Sequence, residues 1–211
     1  MFFWEATAAN RGLLSGNNRE ERVCSLFKLL TDFYKRMKPH SRLDNLTVDM
    51  IKNPNKAKPK LHCKGAECRH LIPFCFELSQ TFKGESSYWK VIADMFEHFH
   101  KLVLIVAGDV PFVHEDAKAE CLKFCILLSA LRNLKIDTNV WQFKPKLHML
   151  QELIEYQSFE RGNPRHFWCY RDESWCGMWA RAAHRRGGAS NAGTIAERFL
   201  TRYRAMNPED M

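Results

Sequence analysis

Two adjacent carboxylates, Asp172 and Glu173, lie in a stretch of the chain that also carries two cysteines and several aromatic side chains, NPRHFWCYRDESWCG, residues 163–177. Paired acids can hold a divalent cation for phosphoryl transfer, although such sites need two or three convergent carboxylates. Acidic residues are also favoured in the first turn of a helix, where they face the positive end of the helix dipole. From the residues alone, the start of a helix is the better interpretation of this pair.

The same stretch holds two cysteines, Cys169 and Cys176, close in sequence to His166, Arg165 and Arg171. A cysteine nucleophile requires a neighbourhood that stabilises its thiolate, together with a base. Aromatic residues flank both cysteines, and core packing is therefore the favoured role.

The segment LHCKGAECRH, residues 61–70, offers His62, Cys63, Cys68 and His70, enough nitrogen and sulfur for a tetrahedral zinc site. Its spacing matches no common zinc finger, since no second Cys-x-x-Cys or His-x₃₋₅-His pair follows. Cys68 and His70 also point in different directions if the segment is helical from residue 66 onward. We therefore interpret the segment as a helix N-terminus with a basic flank, and keep Cys63, Cys68 and His70 as metal candidates.

Positive charge is concentrated late in the sequence. Residues 161–204 contain nine arginines and three acids, in a chain of formal net charge +8. Arginine suits phosphate because its planar guanidinium donates two hydrogen bonds at once. This composition predicts DNA or RNA as partner, and the interleaved aromatic residues either stack on bases or fill a core. The arginines predicted to contact nucleic acid are Arg161, Arg165, Arg171, Arg181, Arg185, Arg186 and Arg202.

The elements that must position these residues are predicted to be helices, because apolar side chains recur at intervals of three and four. The sequence predicts an all-α fold, an irregular bundle of about six to seven helices with at most one short strand, at residues 137–143. The predicted helices span residues 18–39, 66–82, 86–107, 114–134, 146–156, 172–186 and 190–206.

One predicted helix is ambiguous over part of its length. KLVLIVAGDV, residues 101–110, also matches a buried strand that ends at a Gly-Asp turn. In a wider window, Trp89, Ile92, Phe96 and Phe99 keep the spacing of three and four that a strand does not require. A helix over residues 86–107 is therefore the prediction.

Composition indicates a folded intracellular protein, in the nucleus, the cytoplasm or an organelle. Several cysteines lie among apolar residues at helical spacing, which is typical of reduced thiols, and the sequence shows no secretory signal or membrane span. We predict a loosely ordered lead-in at 1–17, an N-terminal helix at 18–39, a basic linker at 40–60 and a helical domain at 61–211.

Three segments, in order and at their observed separations, resemble the C-terminal helical region of CACTA-like DDE transposases, whose catalytic core is RNase H-like. The first is LHCKGAECRHLIPF, the second FKPKLHMLQELIEY, and the third the stretch around the paired carboxylates. The resemblance covers roughly residues 60–190. The matching positions are Lys64, Glu67, Arg69, Pro145, His148, Leu150, Trp168, Tyr170, Glu173 and Gly177.

The resemblance implies that Glu173 descends from the glutamate that completes a three-carboxylate, two-metal site, with Asp172 adjacent and His148 as a supporting residue. In the family, the two aspartates of the site lie on an upstream sheet. This chain has no strand-rich segment ahead of residue 60 to hold them. Mg²⁺ or Mn²⁺ would therefore be used only if a partner chain completed the site.

We therefore expect a transposase-derived helical domain that binds nucleic acid through its arginine-rich face and is not catalytic alone. One alternative is a structural subunit that docks into a larger assembly, which the apolar residues Phe2, Phe3 and Trp4 favour. The second alternative is a metal-dependent nuclease or strand transferase completed by another chain.

Overall fold

The structure, a computed structural model, describes residues 1–8, 13–51, 61–134 and 140–167, together with Glu197 and Thr201. The chain divides into two compact units, Met1–His166 and Phe167–Met211, and the fold described below is that of the first. Within these described ranges the regular elements are helices and none is a strand, which confirms the all-α prediction.

The α-helices of the first unit follow one another along the chain as α1 (Phe2–Ala6), α2 (Arg19–Met37), α3 (Val48–Ile51), α4 (Gly65–Thr81), α5 (Ser87–Ala107), α6 (His114–Leu134), α7 (Pro145–Glu152) and α8 (Ser158–Arg161). A π-helical turn, Leu153–Gln157, joins α7 to α8, and a 3₁₀ turn, Pro164–His166, follows α8.

Helix α2 begins where its sequence predicts. The Asn18 side chain accepts a hydrogen bond from the backbone N–H of Glu21 at 2.8 Å. The Glu21 carboxylate in turn accepts the backbone N–H of Asn17 at 2.7 Å. These two bonds satisfy donors that a helix start otherwise leaves without partners. The helix ends at Lys38, whose left-handed backbone (φ 47°) stops the helical ladder just before Pro39.

Helix α5 occupies the centre of the unit and packs against both α4 and α6. The ambiguous segment KLVLIVAGDV is helical through Ala107, as the wider spacing predicts. Ser86 caps the start of the helix by accepting the N–H of Trp89 at 3.2 Å. Gly108 ends it with a left-handed backbone, φ 82°.

The core around α5 is aromatic. Trp89 is buried, and its ring meets Phe82 at 5.2 Å and Phe2 at 6.1 Å between centroids, both edge-on. Phe2 also meets Phe96 edge-on at 4.9 Å. Edge-to-face pairs of this kind add to the stabilisation that burial of the rings already provides. The result joins α1, α4 and α5 into one cluster.

The first residues of the chain differ from the predicted loose lead-in. Residues 2–6 form α1, and Phe2 and Phe3 are buried in the core. The Arg19 guanidinium lies 3.6 Å from the centroid of the Trp4 ring, a cation–π contact. A five-residue helix has little stability of its own, so burial of its aromatic side chains holds it in place.

The predicted basic linker at 40–60 is also partly built into the core. Leu43, Leu46 and Ile51 are buried, and Ile51 lies in the short helix α3. Residues 52–60, which carry all of the linker's prolines and lysines, lie outside the described residues. Burial of these three side chains anchors the segment in the core.

Residues 137–143, where the sequence allows at most one short strand, hold no strand in their described part, residues 140–143. Val140 and Trp141 are buried there, and the Trp141 indole N–H donates to the Tyr88 hydroxyl at 2.7 Å. Buried side chains and the hydrogen bond between Trp141 and Tyr88 therefore hold this connection in place, without strand pairing.

The C-terminal end of α5 is covered by the first residues of the NPRHF stretch. The Asn163 amide donates to the Ile105 carbonyl at 3.4 Å, and Asn163 and Pro164 are buried. The Arg165 guanidinium lies directly over Gly108, where it would overlap any added Cβ atom. A cation at this position is favourable because the last carbonyls of a helix carry partial negative charge.

We expect Gly108→Ala to destabilise the protein by roughly 1–2 kcal/mol, because a Cβ atom is strained at positive φ and Arg165 must also move. Gly84→Ala is the matched control: its added Cβ meets no atom within 4 Å, and we expect a change below about 0.5 kcal/mol. Urea unfolding of both variants measures the difference. Equal stabilities of the two variants would contradict this account of the α5 terminus.

Candidate nucleic-acid interface

Most of the predicted site residues lie outside the described residues. These are Arg171, Asp172, Glu173, Arg181, Arg185, Arg186 and Arg202, with the two candidate nucleophiles Cys169 and Cys176. Their roles stay predictions from the sequence. Glu197 and Thr201, which are described, are both helical within the last predicted helix, and the Thr201 hydroxyl donates to the Glu197 carbonyl at 2.9 Å.

Three further predicted residues are described and exposed: Arg161 and Arg165 of the nucleic-acid interface, and His148, the supporting residue of the catalytic site. Arg161 ends α8, and Arg165 lies in the 3₁₀ turn that covers α5. His148 lies on α7, a helix that has no buried residue of its own. The structure therefore leaves the two arginines accessible to solvent.

Two aromatic side chains that the sequence analysis did not single out are unusually exposed. Tyr156, in the π-helical turn, is 65% exposed, and Phe159, in α8, is 72% exposed. Their local sequence, EYQSFER, gives little sign of this exposure. Leu153, Tyr156 and Phe159 follow one another at intervals of three, a spacing that a buried helix face can also show.

The backbone beneath these rings is held by His114 at the start of α6. The His114 Nε2–H donates to the Ile154 carbonyl at 3.1 Å, and the Ser158 hydroxyl donates to the same oxygen at 2.7 Å. The His114 ring meets Phe159 edge-on at 5.3 Å. A π-helical turn shifts the usual hydrogen-bond partners by one residue, and these side chains satisfy the displaced carbonyl.

Charge around the exposed rings is balanced. From residue 145 to residue 166 there are three cationic side chains and three acids, if histidine is neutral. They are Lys146, Arg161 and Arg165 against Glu152, Glu155 and Glu160. The arginine excess of the sequence therefore lies after this stretch.

The three metal candidates do not converge. The sulfur atoms of Cys63 and Cys68 lie 2.9 Å apart, and His70 is half-buried further along α4. Burial lowers the pKa of His70, and the charges of Arg69 and His40 lower it further. Among the described residues, no group of three His, Cys, Asp or Glu side chains is placed to hold a metal ion.

An apolar cavity of about 460 Å³ opens beside α4 and α5. Its wall is mostly aliphatic and aromatic, and Cys68 and Cys75 also line it. Among its described lining residues, Lys144 and Lys146 carry the only charged side chains. This cavity leaves no pattern in the sequence, because its wall combines residues from distant parts of the chain.

Two histidines of α5 have structural partners. His98 Nδ1 lies 2.7 Å from the Glu120 carboxylate on α6. Burial alone would raise the pKa of Glu120, but hydrogen bonds to His98 and Lys123 lower it below its ordinary value. His100 stacks on Phe76, with 4.9 Å between the ring centroids. These contacts account for both rings without a metal ion or substrate.

Comparison of the chain with family profiles, with curated proteins and with solved structures finds no match. Within the described residues, every helix is too short or too polar to span a membrane.

We expect the stability of the protein to fall as pH drops below about 6.5, the ordinary pKa of histidine, with a contribution from His100. Burial lowers the pKa of His100 in the folded state, although the charges of Glu77 and Asp109 oppose the shift. The unfolded state therefore binds the proton more readily, and acid favours unfolding through this residue.

His100→Phe is the informative variant, since phenylalanine keeps the ring against Phe76 but does not titrate. Urea unfolding at pH 7.5 and 5.5 should show a smaller loss of stability in this variant than in the unmodified chain. An identical loss in both proteins would show that His100 does not contribute to the pH dependence.

Proposed function

We propose that this protein is a nucleic-acid-binding helical domain, transposase-derived, that contacts phosphates through the arginine-rich segment 161–204 and is not catalytic alone. The observation that carries the proposal is the ratio of nine arginines to three acids in that segment. The exposed positions of Arg161 and Arg165 support it. An intracellular setting, where nucleic acid is encountered, is part of the same proposal.

The physical basis is the release of counterions. Each phosphate that an arginine neutralises frees condensed cations, so affinity falls steeply as salt rises. This electrostatic contribution to affinity does not depend on base sequence, and we therefore propose binding of low sequence specificity. Arginines that reach base edges would add specificity, but the proposal does not require them.

The exposed rings of Tyr156 and Phe159 offer a second, separate contribution. Unstacked bases of single-stranded DNA or RNA can stack on accessible aromatic side chains, whereas bases within a duplex cannot. Charge around these rings is balanced, so their contribution would depend little on salt. We therefore propose a preference for single strands over duplex.

The arginine term is tested with Arg185→Ala/Arg186→Ala in a fluorescence anisotropy titration against labelled single-stranded and duplex DNA at three salt concentrations. We expect weaker binding and a reduced slope of log affinity against log salt, by roughly 1.5 if both arginines contact phosphates. The matched control is Lys28→Ala/Lys118→Ala, which removes the same charge from exposed positions on α2 and α6.

If the control variant lost as much affinity as the arginine variant, binding would follow net charge alone. If the unmodified chain bound neither DNA at low salt, nucleic-acid binding would be wrong. Mg²⁺-dependent cleavage that Glu173→Gln abolishes would instead show that the chain is an active nuclease.

The stacking term is tested with Tyr156→Ala/Phe159→Ala. Each lost base stack costs about 1–3 kcal/mol, so we expect at least a fivefold loss of affinity for single-stranded DNA, with an unchanged salt slope. Leu122→Ala/Ile126→Ala is the control, since these residues are exposed apolar side chains of α6. If the double variant bound single-stranded DNA as tightly as the unmodified chain, base stacking on these rings would not contribute to binding.

A role as an interaction subunit is the second candidate function. Phe2 and Phe3 no longer favour it, because they are buried in the core. What favours it instead is a set of large apolar side chains more than half exposed. They are Leu122, Ile126, Leu134, Met149, Tyr156 and Phe159, with Met37. Residues of this type mark protein contacts when they form a contiguous patch.

Light scattering that showed self-association, reduced by Leu122→Ala/Ile126→Ala, would support this candidate.

A further inference from the structure

The two thiols at the start of α4 occupy the positions of a hydrophobic staple. Lys64 is the N-cap residue of the helix, so Cys63 precedes the cap and Cys68 is the fourth helical residue. In many helices, apolar side chains at these two positions pack together and fix the direction in which the chain enters. Here the contact is made by two sulfur atoms 2.9 Å apart.

The backbone around the pair is already held in this arrangement. The Glu67 carboxylate accepts the backbone N–H of Lys64 at 2.8 Å, and the N–H of Cys68 donates to the Lys64 carbonyl at 2.9 Å. The cap therefore keeps the two cysteines facing each other, although four residues separate them in the sequence. Closing a bond between them needs only a small movement of the side chains.

We propose that Cys63 and Cys68 form a reversible intramolecular disulfide, with a small-molecule disulfide of the glutathione type as oxidant. This proposal does not depend on nucleic-acid binding. In a reducing compartment the pair is open, and it closes when the ratio of oxidised to reduced glutathione rises.

The two sulfurs differ in a way that sets the order of the reaction. Cys68 is exposed, whereas Cys63 is half-buried. Burial raises the pKa of the Cys63 thiol, and its hydrogen bond to Cys68 raises it further. Cys63 therefore holds its proton while the more accessible Cys68 meets the oxidant.

The exchange is balanced in two steps. The Cys68 thiolate attacks one sulfur of oxidised glutathione, breaks its S–S bond and releases one glutathione thiolate. Cys63 then loses its proton to solvent and attacks the Cys68 sulfur, which releases the second glutathione. Two electrons pass from the protein thiols to glutathione, and one disulfide replaces another.

The other described cysteines lack this combination of access and proximity. Cys24 is exposed but is not paired with another described cysteine, and Cys75 is buried in the core. Cys121 and Cys125 are close to each other on α6, but both are buried. Burial raises the pKa of Cys75 and so disfavours its reactive thiolate.

The test is a redox titration of the full chain in glutathione buffers, followed by acid quenching, alkylation and tryptic mapping. Trypsin cuts between the two cysteines, giving LHCK (residues 61–64) and GAECR (residues 65–69). We expect these two peptides to be joined by a disulfide in oxidising buffer, and to appear separately with both thiols alkylated in reducing buffer. Cys24→Ser should leave this behaviour unchanged.

The covalent bond should also stabilise the helix start. For so short a loop we expect a rise in Tm of roughly 5 °C on oxidation, absent in Cys63→Ser and Cys68→Ser. Peptides that stay alkylated in every buffer, or that carry only glutathione or other partner peptides, would overturn the proposal. Because the mapping is done on the unmodified chain, this result does not depend on how the variants fold.

Discussion

The first unit depends on burial of the aromatic face of α5. Trp89 lies near the start of this helix, and its neighbours Phe2 and Phe82 come from α1 and from the turn after α4. Further along α5, Phe99 stacks on Phe124 of α6 with 4.5 Å between the ring centroids. One helix thus supplies a packing surface for α1, α4 and α6. Removing a buried large aromatic side chain costs about 3–5 kcal/mol, a large fraction of the stability of a domain.

This constraint explains which parts of the fold could be predicted. A helix that buries one face shows its period directly in the sequence, and α2, α4, α5 and α6 all begin and end close to their predicted limits. Their caps are also readable, because Asn18 and Ser86 are standard N-cap residues. In these four helices the local sequence and the tertiary packing favour the same structure. The local sequence is therefore sufficient to predict where each helix lies.

Segments held by single anchors could not be predicted in the same way. Residues 2–6 and 43–51 are too short to show a sustained helical period, yet Phe2, Leu43 and Ile51 are buried. Their placement depends on partners far away in the sequence. The exposed rings at Tyr156 and Phe159 present the opposite case, because the π-helical turn changes which side of the helical stretch faces α6. Neither the buried anchors nor the exposed rings produce a strong pattern in the local sequence.

Several acids of the described residues hold the fold. Glu21 and Glu67 accept backbone N–H groups at helix starts, and Glu120 joins α5 to α6 through His98. Asp94 pairs with Lys83 at 2.7 Å. Carboxylates that hold paired metal ions must instead converge on one point with open coordination positions. In the described residues, therefore, the chemistry available for an anionic ligand comes from cations and aromatic rings.

Arg161 and Arg165 are not equivalent as partners for such a ligand. The Arg165 guanidinium lies over the end of α5, where the terminal carbonyls already favour a cation by about 0.3–1 kcal/mol. A phosphate that drew Arg165 away would have to overcome that interaction and leave Gly108 uncovered. Arg161 ends α8 at an exposed position and is not docked on that helix terminus. Phosphate contact and helix capping are therefore in competition at Arg165, so the arginine count of the segment overstates the number of phosphates it can neutralise without changing the fold.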